Sequence, residues 1–413
     1  MTLPNGWKKV KLGDFCEKIG SGSTPKGGRE VYLTSGIPII RSQNVLNGLL
    51  NLQDVACISE EQHEKMKGTW VYPDDILLNI TGASIGRSCV VPQSVKTANV
   101  NQHVCIIRLK NSTDSKYVCN VILSDEFQKQ IELLSVGGGR QGLNFQQIAS
   151  MQIALPPIEE QRKIAATLSV WDSVIEKMEK LIEAKIVQKK SLTCKLIENH
   201  NDVKFKLGNV TIDKSKWKKK SLKEIGSFSK GQGIKRDDAL SGNIAAVRYG
   251  EIYTTHNDYI KEFHSFISED VAKKSKLLKK GDLLFSCSGE TKEDIGKCVA
   301  FVSDIVAYAG GDIIIFSPQI ECDSKYLGFL LNSPSISKQK YGLGQGDSIV
   351  HISAESIGRL TVFLPSYPEQ KVIADVLSAI DDELALLKQQ LENYKKQKQG
   401  LMQKLLTGQW RVK

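Results

Sequence analysis

Leu155-Pro156-Pro157-Ile158-Glu159-Glu160-Gln161-Arg162-Lys163-Ile164-Ala165 opens about 40 residues that contain no proline. The event recurs at Leu364-Pro365-Ser366-Tyr367-Pro368-Glu369-Gln370-Lys371-Val372-Ile373-Ala374. Proline followed by acids in the first turn is a helix start, because proline fixes the entry backbone and the acids meet unpaired N–H groups. The register holds without gaps as far as Lys195-Leu196-Ile197 and Lys404-Leu405-Leu406. Upstream the match is weaker and gapped, yet Trp7-Lys8-Lys9 answers Trp217-Lys218-Lys219 and Ile39-Ile40-Arg41 answers Ala246-Val247-Arg248. Asp75-Ile76-Leu77-Leu78 answers Asp282-Leu283-Leu284-Phe285, and Ile85-Gly86-Arg87 answers Ile295-Gly296-Lys297. A period this long is not a solenoid unit. It is a duplicated module of domain plus helix.

The first part of each module is cut into short Val/Ile/Leu runs by Gly, Pro, Asn and Ser, the texture of short strands with a few helices. The segments are therefore expected at 1–156, 157–199, 200–364 and 365–413. Within the long helices, alternating steps of four and three select Ile164, Leu168, Trp171, Ile175, Met178, Ile182, Leu192 and Leu196 in the first. In the second they select Ile373, Leu377, Ile380, Leu384, Leu387, Leu391, Leu401 and Leu405, with Tyr394. Such a stripe predicts a coiled coil in which the two helices bury their seams against each other. Lys185 and Lys189 interrupt the first seam, and looser packing is expected there.

The chain of 413 residues is long enough for two or three domains, and 41% of it is AVILMFWYC. No run approaches a membrane span. The first residues, Met1 to Lys9, carry no apolar core of a signal peptide, which argues against secretion. Nine cysteines without a C-x-x-C pair fit reduced thiols in the cytoplasm. The formal charge is +10, and the long helices carry almost none of it. The excess lies on the duplicated domains, where Lys214 to Lys220 and Lys273 to Lys280 form clusters suited to phosphate contacts.

Catalytic patterns are weak. Gly82-Ala83-Ser84-Ile85-Gly86 is a literal G-x-S-x-G, but Arg87-Ser88-Cys89-Val90-Val91-Pro92 reads as a strand where a nucleophile elbow needs a helix. Gly342, Gly344 and Gly346 lack the strand–helix setting of a dinucleotide site. No G-x-x-x-x-G-K-[ST] loop is present, and no metal cluster is legible, so the chain is expected to be non-catalytic. The loops offer something else. Candidate DNA contacts in the first copy are Ser21, Ser23, Thr24, Lys26, Arg29, Arg41, Gln43, Asn44, Arg87, Gln102, His103, Arg140 and Gln141. In the second they are Lys230, Gln232, Lys235, Arg236, Arg248, Tyr249, Lys292 and Gln345. Arg reads guanine, and Asn and Gln read adenine, through their groove edges.

With these motifs the sequence resembles the specificity (S) subunit of type I restriction-modification systems. The resemblance rests on 155–165, on its echo at 364–374 and on Lys404-Leu405-Leu406-Thr407-Gly408. Gly82 to Gly86, Asn99-Val100-Asn101-Gln102-His103 and Leu143-Asn144-Phe145 add to it. It implies an α+β fold: two homologous target-recognition domains, an antiparallel two-helix coiled coil between them, and pseudo-two-fold symmetry. It also implies double-stranded DNA as ligand, two methyltransferase (M) subunits docked on the helices, and restriction (R) subunits joining to give an ATP-driven nuclease. S-adenosylmethionine would then belong to M and ATP with Mg²⁺ to R, with no cofactor in this chain. Each domain would read one half of a bipartite asymmetric target, as part of a cytoplasmic adenine methyltransferase and nuclease complex. The copies differ at Gly289-Glu290-Thr291-Lys292 and at Ala309-Gly310-Gly311-Asp312, as unlike half-sites would require.

Duplex DNA has local dyads, so two similar readers fit best when related by a two-fold, and antiparallel helices would supply it. The helices then act as a ruler: adding a heptad-like block should change the spacer and leave the half-sites alone. Two other readings stay open. One is a specificity subunit whose partner fuses methyltransferase and nuclease; the other is a coiled-coil adaptor without a DNA role.

Overall fold

The computed structural model describes residues 3–25, 27–135, 142–198, 203–289, 291–292, 295–346 and 350–412. It falls into two compact units, 1–179 with 389–413 and 180–388. Both repeat one plan.

In the first unit, Cys16–Ser21, Val104–Leu109, Ile76–Asn79 and Ser88–Val90 form a four-stranded antiparallel sheet in that order. A second sheet orders Cys57–Ile58, Ile37–Ile40, Ala98–Val100 and Trp70–Val71, with its central pair parallel. In the second unit the matching sheets are Gly226–Lys230, Ile313–Pro318, Leu283–Ser286, Cys298–Ala300 and Ser265–Ile267, Ile244–Val247, Ala307–Ala309, Lys276–Leu277. There too the central pair of the second sheet, Ile244–Val247 with Ala307–Ala309, is parallel. The unbroken apolar runs have a reason. Ile76, Leu78, Cys105 and Ile107 face a core of helices, whereas Leu77, Val104 and Ile106 face the second sheet. Leu283, Phe285 and Phe316 against Leu284 and Ile315 repeat the division. A strand covered on both faces alternates between two cores rather than between core and water.

Each module closes on itself. Lys8–Lys11 pairs with Gln152–Leu155, and Lys218–Ser221 with Thr361–Leu364, so the strand leading into each long helix is held by the start of its own domain. The second copy adds a hairpin, Lys204–Leu207 with Val210–Asp213.

The long helices run Ile158–Thr193, extended by a π turn over Cys194–Glu198, and Tyr367–Leu406. Their shared Glu-Gln pair explains why the motif occurs twice. Gln161 donates to the Pro156 carbonyl (2.8 Å) and accepts from the Asp114 amide (2.9 Å); Gln370 does the same with Pro365 and Asp323. Glu160 and Glu369 accept from the indoles of Trp7 and Trp217. These buried polar groups clamp helix to domain because an unpaired partner would be left without water.

Both units contain an antiparallel pair of helix segments. In the first unit Arg411 bonds Glu160, Lys398 bonds Asp172 and Lys395 lies 2.9 Å from Glu179, so partner numbers fall as helix numbers rise. Trp171 meets the edge of Tyr394. In the second unit Lys185 pairs with Glu383 and Lys189 with Asp381, both at 2.8 Å. Every apolar seam residue named above is buried or half-buried. The expectation of loose packing at Lys185 and Lys189 is corrected here: their stems lie along the seam and their ammoniums reach carboxylates. Burial works against the Lys189 charge, but Asp258 and Asp381 outweigh it and hold its pKa above the ordinary lysine value. Lys189–Asp381 and Lys398–Asp172 occupy equivalent positions of the repeat.

The repeat also sets up a paired test. The Tyr117 hydroxyl donates to the Ala154 carbonyl at 2.7 Å, whereas the hydroxyl of its counterpart Tyr326 is buried with no partner among the described residues. Tyr117→Phe should lower stability by about 1 kcal/mol and Tyr326→Phe should leave it equal or higher, as read by chemical denaturation.

Candidate nucleic-acid interface

The strand order gathers several loops at one end of each principal sheet. In the first unit Cys16–Ser21 ends where Val104–Leu109 begins, beside the end of Ile76–Asn79 and the start of Ser88–Val90. Ile37–Ile40 and Ala98–Val100 run parallel into the same place. Asn79, fully buried, fastens it: its side-chain amide donates to the Ser42 carbonyl (2.9 Å), and its backbone bonds Arg87 and Gly86. Gly22 must be glycine, because a Cβ there would lie 1.6 Å from the Val100 carbonyl oxygen.

On this end Thr24, Gln102, His103 and Thr81 form one polar chain. The Thr24 hydroxyl bonds Gln102 Oε1, Gln102 Nε2 lies 3.1 Å from His103 Nε2, and His103 Nδ1 lies 2.7 Å from Thr81 Oγ1. One assignment satisfies all three: Gln102 donates to Nε2, and Nδ1–H donates to Thr81. Thr24, Gln102, Ser23, Gln43 and Arg87 are exposed, and Ser21, Arg41 and His103 half-buried. Asn44 is different. It is 3% exposed, accepts from the Arg41 amide and donates to the Asn51 carbonyl, so it holds its loop rather than facing outward. Lys26, Arg140 and Gln141 lie outside the described residues, as does the side chain of Arg29.

The second unit builds the matching end from Lys230 to Gly233, Arg248 and Tyr249, Ser286 to Gly289, and Gly310 to Asp312. Lys230, Gln232, Lys235, Arg236, Tyr249 and Gln345 are exposed, and Lys292 is half-buried. Gly233 packs against the backbone of Lys274, which brings exposed Lys273, Lys274 and Lys276 beside this loop. The other lysine cluster divides. Lys218, Lys219 and Lys220 are exposed, but Lys214 is buried, bonds the Lys195 carbonyl (2.7 Å), and has its pKa pushed down to about 8 by burial. It does not serve as a surface phosphate contact. Arg248 also turns inward, bonding Ser265 (2.8 Å) and Glu251 (3.2 Å).

Sequence reasoning missed Thr81, Asn79 and His351. His351 pairs through its strand with Ser288 and Gly289 and approaches the Ser288 hydroxyl at 3.2 Å. The available signal for Asn79 was an amide ending the buried run Ile76-Leu77-Leu78. Among the described residues no group of three or more His, Cys, Asp or Glu could hold a metal ion. None of the described helices is long and apolar enough to cross a membrane.

Two homologous α+β domains, each with a polar loop cluster and each leading into a long helix, define a duplicated recognition protein. The family described as type I restriction modification DNA specificity domain matches residues 4–186 and 214–395, and the chain belongs to that family. Among similar proteins, the type I restriction enzyme MjaVIII specificity subunit of Methanocaldococcus jannaschii is 25% identical over all of this chain and 95% of its own length. The EcoBI specificity subunit of Escherichia coli is 27% identical over 39% of this chain and 34% of its own length. The fold matches the S subunit of a type I restriction-modification system from M. genitalium with a TM-score of 0.60, at 18% identity and 98% coverage of both chains. The chain is thus a specificity subunit with two DNA specificity domains. Such subunits are non-catalytic, bind DNA and assemble with other restriction-modification subunits.

Proposed function

We propose that each domain reads one half of a bipartite, asymmetric duplex target through the loop cluster at the end of its principal sheet. The observation that carries this reading is the equivalence of the two clusters in position with their difference in chemistry. Thr24, Gln102 and His103 stand in one copy, and Lys230, Gln232 and Lys274 in the other. Lysines at such loops neutralise phosphate and position the duplex, while amide edges discriminate bases. The long helices set the distance between half-sites and dock two methyltransferase subunits. Exposed Val170 and Val174, one turn apart on one face of the first helix, support the docking role. S-adenosylmethionine would be carried by M, ATP and Mg²⁺ by R, and the complex would work in the cytoplasm as an adenine methyltransferase and nuclease. Methylome sequencing with and without this gene tests the reading. Loss of one gapped motif is expected; an unchanged methylome in cells that make the whole complex would reject it.

A further inference from the structure

Arg41 and Arg248 stand at the same position of the repeat, each just before a short helical turn whose third residue caps its backbone amide. Their guanidiniums meet opposite surroundings. Arg248 Nε donates to Ser265 Oγ at 2.8 Å, and Nη2 lies 3.2 Å from Glu251, which is 5% exposed. In the first copy the capping residue is Asn44 instead of Glu251. The neighbouring strand also differs: Ser265 pairs with Ala246, and the residue bonded to the equivalent Ile39 is Ala56. Both acceptors that hold Arg248 are therefore absent around Arg41. Accordingly Arg41 Nε is buried with no hydrogen-bond partner among the described residues, and the guanidinium lies 5.9 Å from the Tyr32 ring centroid.

A buried donor without an acceptor is expensive unless a ligand supplies one. Arg41 adjoins Ser42, whose carbonyl accepts from Asn79; the next residues, Ile80 and Thr81, bond His103 of the polar cluster. We infer that Arg41 is a DNA-contacting residue of the first domain, its guanidinium taking a pair of acceptors from the duplex, either a guanine edge or a backbone phosphate. Arg248, already neutralised, is a scaffold residue of the second. The inference rests on the reading that these loop clusters bind DNA, and deepens it by making the two domains unequal at one repeat position.

The test uses the full chain assembled with its methyltransferase partners. One duplex carries the sequence methylated in cells that hold this gene, and another of equal length has unrelated sequence. Arg41→Ala should weaken binding to the first duplex by about 10-fold or more, with an unchanged Tm. Relaxed methylation at one base position would mark a guanine contact. Uniform weakening on both duplexes with a shallower salt dependence would mark a phosphate. Arg248→Ala should lower Tm, because Glu251 loses its partner, and leave both half-sites as they were. The double variant Asn44→Glu/Ala56→Ser gives Arg41 the partners Arg248 has, and should weaken binding although the arginine remains. Wild-type affinity in Arg41→Ala, or in that double variant, would overturn the inference. Failure of the wild-type complex to prefer the first duplex would instead bring down the recognition reading beneath it.

Discussion

A chain ended after Gly400 is expected to lose the folded first unit and keep the second. The core of the first domain is completed by Met402, Leu405 and Leu406, which are 8%, 3% and 6% exposed and pack with Trp7, Tyr117, Ile164 and Leu168. Burying a large apolar side chain stabilises by about 1.5–3 kcal/mol. Three together approach the ~5–15 kcal/mol that holds a whole domain folded. The truncation also removes Arg411, whose guanidinium bonds Glu160 and the Asn5 carbonyl. Gly408, at φ +74°, would go as well; it ends the helix in the left-handed region that a glycine tolerates. The second domain is insulated from this change, because its core draws on Leu196, Ile197, Ile373 and Leu377. Limited proteolysis with mass spectrometry should show residues 1–179 degraded and 180–388 protected. The milder Leu405→Ala should destabilise the first unit by about 2–5 kcal/mol. Two intact calorimetric transitions in the truncated chain would contradict the account.

That dependence marks where sequence reading stopped. The duplication, the helix starts and the seam were legible because they are local or periodic: proline, Glu-Gln and a 3.5-residue repeat lie within a few turns. What lies far apart in sequence was not. Nothing near Leu405 says that it lies in one core with Trp7, and nothing near Gln161 says that it bonds the amide of Asp114. Composition also misjudged direction. Asn44 and Lys214 have the chemistry of DNA contacts, yet both are buried on Asn51 and Lys195, and half-buried Arg248 is held by Glu251. A polar loop residue meets DNA only if its own fold leaves it exposed, and sequence alone does not show which side chains are turned inward. The same limit hid the seam ion pairs. Lys189 breaks an apolar stripe, but Asp258, from another part of the chain, makes it a fixed point of the helix pairing.

Those fixed points bear on the ruler role proposed for the helices. Polar pairs along an apolar seam favour one register, and at the half-buried pair Lys189–Asp381 a slip would leave poorly solvated charges unpaired. Inserting three heptads after Glu179 and three after Lys388 lies between the pairs Glu179–Lys395 and Lys185–Glu383 and leaves both unbroken. At about 1.5 Å per residue the insertion adds about 32 Å, close to the ~34 Å of one duplex turn. Selection of bound duplexes from a random pool should then return both half-sites unchanged, with a spacer longer by about 9–10 base pairs. A single heptad in each helix adds about 10.5 Å, or roughly three base pairs. Over that length the duplex turns by roughly 100°, while a heptad turns the coiled coil hardly at all. That variant should therefore lengthen the selected spacer only at a marked loss of affinity. An unchanged spacer in the three-heptad protein would separate the helices from spacing altogether, since no other segment between the two domains is lengthened in that experiment.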